Sequence, residues 1–128
     1  GPNKIFIEQL ESIEAAISAF TLLEVCGAAC FRLSKRELES WLYRFPIFYP
    51  VLILDACGLK GKEAQEWWSR FVADVSEKVS RKMTFGDSLL LREAENYGME
   101  AVITWNIRDF SHRTRLPVLT PTAFLQAR

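Results

Sequence analysis

Residues 85–110, F-G-D-S-L-L-L-R-E-A-E-N-Y-G-M-E-A-V-I-T-W-N-I-R-D-F, decide the reading of the fold. Asp87 ahead of an apolar-periodic run, with Gly98 behind it, predicts a helix over 88–97 that Asp87 caps and Gly98 stops. The apolar stretch 101–104 (AVIT) predicts a short strand, and Asp109 follows close to its downstream end. A break at Thr84-Phe85-Gly86 separates this block from the preceding helix.

Working outward, residues 62–83 carry Ala64, Trp67, Trp68, Phe71, Val72, Val75 and Val79 at three- and four-residue intervals, an amphipathic helix. Upstream, Pro50 precedes a buried-strand pattern, VLIL at 51–54. Ser34 and Glu37 have capping-box spacing, opening a helix whose apolar face is Leu38, Trp41, Leu42 and Phe45 and which should stop before Pro46. Thr21 and Glu24 repeat that spacing, placing another helix start at Leu22, after a short strand-like run at 16–20 (AISAF). Downstream, 117–119 reads as a strand, and Thr120-Pro121 begins a terminal helix with proline at its first position.

Residues 4–15 admit two readings. KIFI at 4–7 has strand composition, but Phe6, Ile7, Leu10 and Ile13 fit a helix, and too few residues separate KIFI from AISAF for a parallel crossover. Helix is the expectation. Strands alternating with helices predict a three-layer α/β/α fold with a mainly parallel twisted sheet, as one domain over 1–128. Gly1-Pro2 reads as the remnant of a cleaved tag.

Composition narrows the function. Sixteen basic residues balance sixteen acidic ones, so no global field draws the chain to nucleic acid or membrane, and zero net charge favours self-association. No apolar run approaches the ~20 residues of a membrane span. Three cysteines, Cys26, Cys30 and Cys57, in apolar surroundings read as reduced thiols of a cytoplasmic protein. The single histidine, His112, offers no second imidazole for a zinc site. No nucleophile motif is present, and G-L-K-G-K at 58–62 lacks P-loop spacing.

Three carboxylates, Glu24, Asp87 and Asp109, each fall near the downstream end of an apolar run. In a parallel sheet those ends share one edge, where ligand crevices form. Acids gathered there repel one another until a cation neutralises them, and hard oxygen ligands suit Mg²⁺ or Mn²⁺. Such ions clamp a phosphodiester and acidify a bound water. Each acid also has a local structural reading: Glu24 in a capping box, Asp87 at an N-cap, Asp109 in a turn. Arg108, Arg113 and Arg115 beside Asp109 offer phosphate contacts, or simply a solvated face.

The stretches A-I-S-A-F-T-L-L-E-V-C-G-A and 85–110, with the tail P-V-L-T-P-T-A-F-L, resemble the PIN domain family, metal-dependent nucleases that include VapC-type toxins. The resemblance covers residues 4–125 and is most specific in the second block. It implies that Glu24, Asp87 and Asp109 correspond to the second, third and fourth family acids, with Thr104 and Asn106 supporting the last. It implies Mg²⁺ or Mn²⁺, an RNA substrate, a homodimer and a small antitoxin partner. The family's first aspartate has no clear match. It lies upstream of this chain, or Glu8 replaces it, or Asp55 supplies the charge. The alternative function is a PIN-fold binding or scaffold protein with impaired catalysis.

Overall fold

The computed structural model describes residues 2–61 and 63–128. Gly1, from the expected tag remnant, and Lys62, the expected start of the long amphipathic helix, lie outside them. Helix accounts for 58% and strand for 10%, so the chain is mixed α/β with short parallel sheets. It divides into two compact units, Gly1–Asp55 and Ala56–Arg128.

The first unit opens with α1 (Pro2–Glu8) and a 3₁₀ turn at Leu10–Ser12. KIFI is therefore helical, and Glu8 ends a helix rather than following a strand. Then come β1 (Ala15–Ser18), α2 (Ala19–Ala29), α3 (Lys35–Phe48) and β2 (Val51–Leu54). The strands pair in parallel from Ala15 opposite Val51 to Ser18 opposite Leu54, while α2 packs on β1 and α3 on β2. Leu22 and Cys26, one turn apart, are the buried residues of α2.

Two expectations in this unit are corrected. The start of α2 lies three residues upstream of the predicted one. Ser18, still extended at φ −69° and ψ 141°, accepts a hydrogen bond from the Phe20 N–H at 3.1 Å, so Thr21 is helical and no Thr21–Glu24 capping box forms. The strand's last residue is itself a good cap. The second correction concerns α3, which runs through Pro46 to Phe48. Proline removes one N–H near the helix end, and the Tyr49 N–H still closes the last turn on the Phe45 carbonyl at 3.0 Å. The Ser34–Glu37 capping box forms as expected, with both reciprocal bonds present. It also holds the Glu37 carboxyl below its ordinary range, through the Ser34 backbone and then its hydroxyl.

The second unit consists of α4 (Ala64–Ser80), α5 (Phe85–Asn96), β3 (Val102–Ile103), α6 (Ile107–Phe110), β4 (Val118–Leu119) and α7 (Pro121–Gln126). Here β3 and β4 pair in parallel, α5 packs against both α4 and α6, and α6 and α7 cover β4. The core gathers Met83, Leu91, Ala94, Val102 and Phe110. The face expected on α4 is present at Phe71 and Val75, but Trp68, Val72 and Val79 are exposed and Lys78 is buried.

Both helix ends around residues 80–98 use one device. After α5, the Gly98 N–H donates to the Glu95 carbonyl at 3.2 Å and the Met99 N–H to Ala94 at 2.9 Å, with Gly98 at φ +70°. After α4, Lys82 takes the left-handed position at φ 71°, and the Lys82 and Met83 N–H groups donate to Val79 and Lys78. The chain thus leaves α4 at Ser80, ahead of the predicted end at Met83. Then α5 begins at Phe85 rather than Ser88, because Thr84 is its N-cap and its hydroxyl accepts from the Asp87 N–H at 3.3 Å. Asp87 stands inside the first turn, not at the cap. The Thr120 cap and Pro121 start of α7 match the sequence reading. Among the described residues, no helix is long and apolar enough to cross a membrane.

Candidate functional site

Asp109 owes its position to a short relay of bonds beyond β3. The Asn106 N–H donates to Thr104 Oγ1 at 3.0 Å, and the Asp109 N–H donates to the Asn106 carbonyl at 3.1 Å. These bonds make the turn that opens α6 and leave the Asp109 side chain exposed. Thr104 thus shapes this turn through its hydroxyl and Asn106 through its backbone N–H and carbonyl, with Asn106 providing no side-chain cap. Asp87 is half-buried in the first turn of α5, the helix that packs on α6. An acid in that turn is favoured by the helix dipole. Phe110, fully sequestered beside Leu91 and Ala94, ties the two helices together.

Glu24 belongs to the first unit, exposed in the second turn of α2. Among the described residues, no side-chain hydrogen bond or ion pair engages the carboxyl of Glu24, Asp87 or Asp109. Free carboxylates of this kind have the hard oxygen chemistry that Mg²⁺ or Mn²⁺ requires. No group of three His, Cys, Asp or Glu side chains stands ready to hold an ion among the described residues. Asp55 follows β2 and is exposed.

The basic residues near Asp109 divide by role. Arg113 is an anchor: Nε donates to the Arg81 carbonyl at 3.2 Å, and Nη1 to the Arg108 and Asp109 carbonyls at 3.1 and 3.4 Å. Those carbonyls end α4 and α6, so the guanidinium satisfies groups the helices leave open. Arg108 and Arg115 are exposed. Arg81, absent from the sequence reading, returns the contact by donating Nη1 to the Arg113 carbonyl at 2.8 Å.

A second polar cluster was also missed from sequence. Arg92 and Glu93 are 2% and 1% exposed and bonded at 2.6 Å. Glu93 Oε2 accepts the Cys57 N–H at 2.7 Å, while the Cys57 carbonyl accepts from Trp67 Nε1 at 3.0 Å and Arg92 Nη2 at 3.3 Å. Arg92 also lies over the Trp67 and Phe71 rings, and its Nε is 3.4 Å from Asp74, without hydrogen-bond geometry. Every strong bond here is internal, so the cluster is a structural clasp on the segment around Cys57. Burial, and then the Glu93 charge, push the Cys57 thiol up, against an opposing effect of Arg92. That suppresses thiolate reactivity rather than promoting it. No family model, curated protein or solved structure matches the chain.

Proposed function

We propose that the chain is a PIN-like, Mg²⁺- or Mn²⁺-dependent endoribonuclease, the toxin of a toxin–antitoxin pair, built on a three-layer α/β/α plan. The observation that carries this reading is the placement of Asp109. It is free and exposed just beyond the carboxyl end of a strand in a parallel pair, on a helix packed against the one that bears Asp87. The sequence resemblance in 85–110 supports the same assignment.

On this reading Asp87 and Asp109 hold the ion, with Glu24 as the further acid that the resemblance implies. Mg²⁺ commonly binds through one or two carboxylates, retained waters and substrate phosphates, a donor set these residues fit. When bound, such an ion stabilises charge on the scissile phosphate and acidifies a water. The chain's own contribution is placement: Thr104 and Asn106 fix the α6 turn, and Arg108 and Arg115 guide RNA phosphates. Exposed apolar side chains of the first unit, including Phe31, Tyr43 and Ile47, support the expected homodimer and antitoxin contacts. The three cysteines, read as reduced thiols, support a cytoplasmic location.

Incubating structured RNA with Mn²⁺ and either the wild-type protein or Asp87→Asn tests the proposal. Cleavage by the wild type alone supports it; equal cleavage by both discards the site. The second reading, a PIN-fold binding or scaffold protein, rests on the lack of a clear match in the sequence to the family's first aspartate. Calorimetry separates the two: micromolar Mn²⁺ binding lost in Asp109→Asn supports the enzyme, and no heat at millimolar Mn²⁺ supports the scaffold.

A further inference from the structure

A cavity of about 480 Å³ opens where the ends of α4 and α5 meet the turn after α6, lined by Arg81, Arg113 and Arg115 with His112, Glu95 and Thr114. Its volume lies within the range of small-ligand sites. Three guanidinium groups in one concavity repel one another, so the charge balance decides what the cavity can hold. Arg81 is neutralised by Glu77, which accepts from Nε and Nη2 at 2.9 Å each. Glu95 is committed elsewhere, to the buried Lys78 at 3.2 Å and to the Thr114 hydroxyl at 3.0 Å. No carboxylate answers Arg113 or Arg115 among the described residues. The cavity is therefore cationic by those two groups.

It is also rigid. Arg81 and Arg113 each donate to the other's backbone carbonyl, and Arg113 donates further to the end of α6. Arg113 is thereby fixed through Nε and Nη1, while its Nη2 donates to nothing among the described residues. His112 makes this possible by adopting φ 69°, the left-handed conformation that turns the chain back. A guanidinium already immobilised loses little entropy on binding, and its planar fork matches an oxyanion. Arg115 adds an uncommitted fork on the same wall.

We propose that this cavity is a binding site for a phosphate monoester. A tetrahedral dianion offers oxygens to Arg113 Nη2 and the Arg115 fork together and neutralises both charges. The site uses neither Asp87 nor Asp109 as a ligand and shares only Arg115 with the proposed RNA path, so phosphate binding in a chelator tests it apart from the proposed metal centre.

The test titrates inorganic phosphate into the full chain in the presence of a chelator, followed by NMR of the arginine Nε–H signals. Saturable shifts of Arg113 and Arg115 below about 10 mM are expected, with binding weakened about tenfold or more in Arg115→Gln, the weight of one charged hydrogen bond. Arg113→Lys, which keeps charge but loses the fork, should weaken phosphate binding while the circular dichroism spectrum is retained. No saturation, or equal binding by wild type and both variants, overturns the proposal. A 5′-phosphorylated oligoribonucleotide and its 5′-hydroxyl counterpart then identify the source. Preference for the phosphorylated strand assigns the site to a nucleic-acid end, and equal binding with retained phosphate affinity assigns it to a small phosphorylated molecule.

Discussion

Arg92 shows how far one side chain can depart from its composition. It is a cation with 2% exposure, held by Glu93, the Cys57 carbonyl and two aromatic rings. Replacing it with leucine strands a buried carboxylate, and Arg92→Leu should cost about 3–5 kcal/mol in urea denaturation. Arg92→Leu combined with Glu93→Leu should recover most of that, because no charge is then left alone. Lys82 gives the opposite case. Its left-handed backbone has no side-chain benefit to set against it, so Lys82→Gly should raise stability by up to about 1 kcal/mol. The thiols supply a pH test. Burial raises Cys26 and Cys57 above the ordinary 9.0, so the fold favours their neutral forms. Their contribution is intact below pH 9.0 and is lost as pH rises through their folded values, so the urea midpoint should fall in that window. The apolar setting of the thiols was legible in the sequence, but the burial of Arg92 was not. An Arg-Glu pair reads as solvated surface until the 35-residue separation from Cys57 is closed.

At the level of elements, the caps were the most readable feature, because a cap needs only its own few residues. Ser34 with Glu37 and Thr120 with Pro121 fall where their chemistry places them. Thr21 and Thr84 illustrate the ambiguity that remains. Capping side chains three residues apart compete, Ser18 with Thr21 and Thr84 with Asp87, and the winner is the one whose backbone is extended, Ser18 in one case and Thr84 in the other. Thr84→Ala should therefore destabilise the protein by about 1 kcal/mol, whereas Asp87→Ala should cost only the dipole contribution of about 0.3–1 kcal/mol. Thermal denaturation of both variants checks this, and a larger loss for Asp87→Ala would restore it to the cap. The place of Asp109 shortly after a strand was readable because the apolar run 101–104 precedes it. Arg81 was not, since its role depends on a partner 32 residues away.

Across the whole molecule, burial is uneven. Every member of the α5 segment 91–94 is buried, Leu91 completely, while α3 has no buried residue. Hydrogen exchange should follow that gradient, with α5 amides slowest and α3 amides fastest; comparable protection in both would contradict it. The parallel pairing within each sheet was readable from the alternation of strands and helices. The exposure of Leu52 on β2, at 69%, was not, because an apolar strand run carries no mark of which face lacks a cover.

The Arg92–Glu93 clasp has a thermal consequence. Ions surrender a tightly ordered water shell on entering the interior, and that surrender becomes less costly as temperature climbs. The pair should thus oppose folding most strongly near freezing and least near the melting point. The stability curve of the native protein would then peak at a warmer temperature than that of a variant with leucine at both positions.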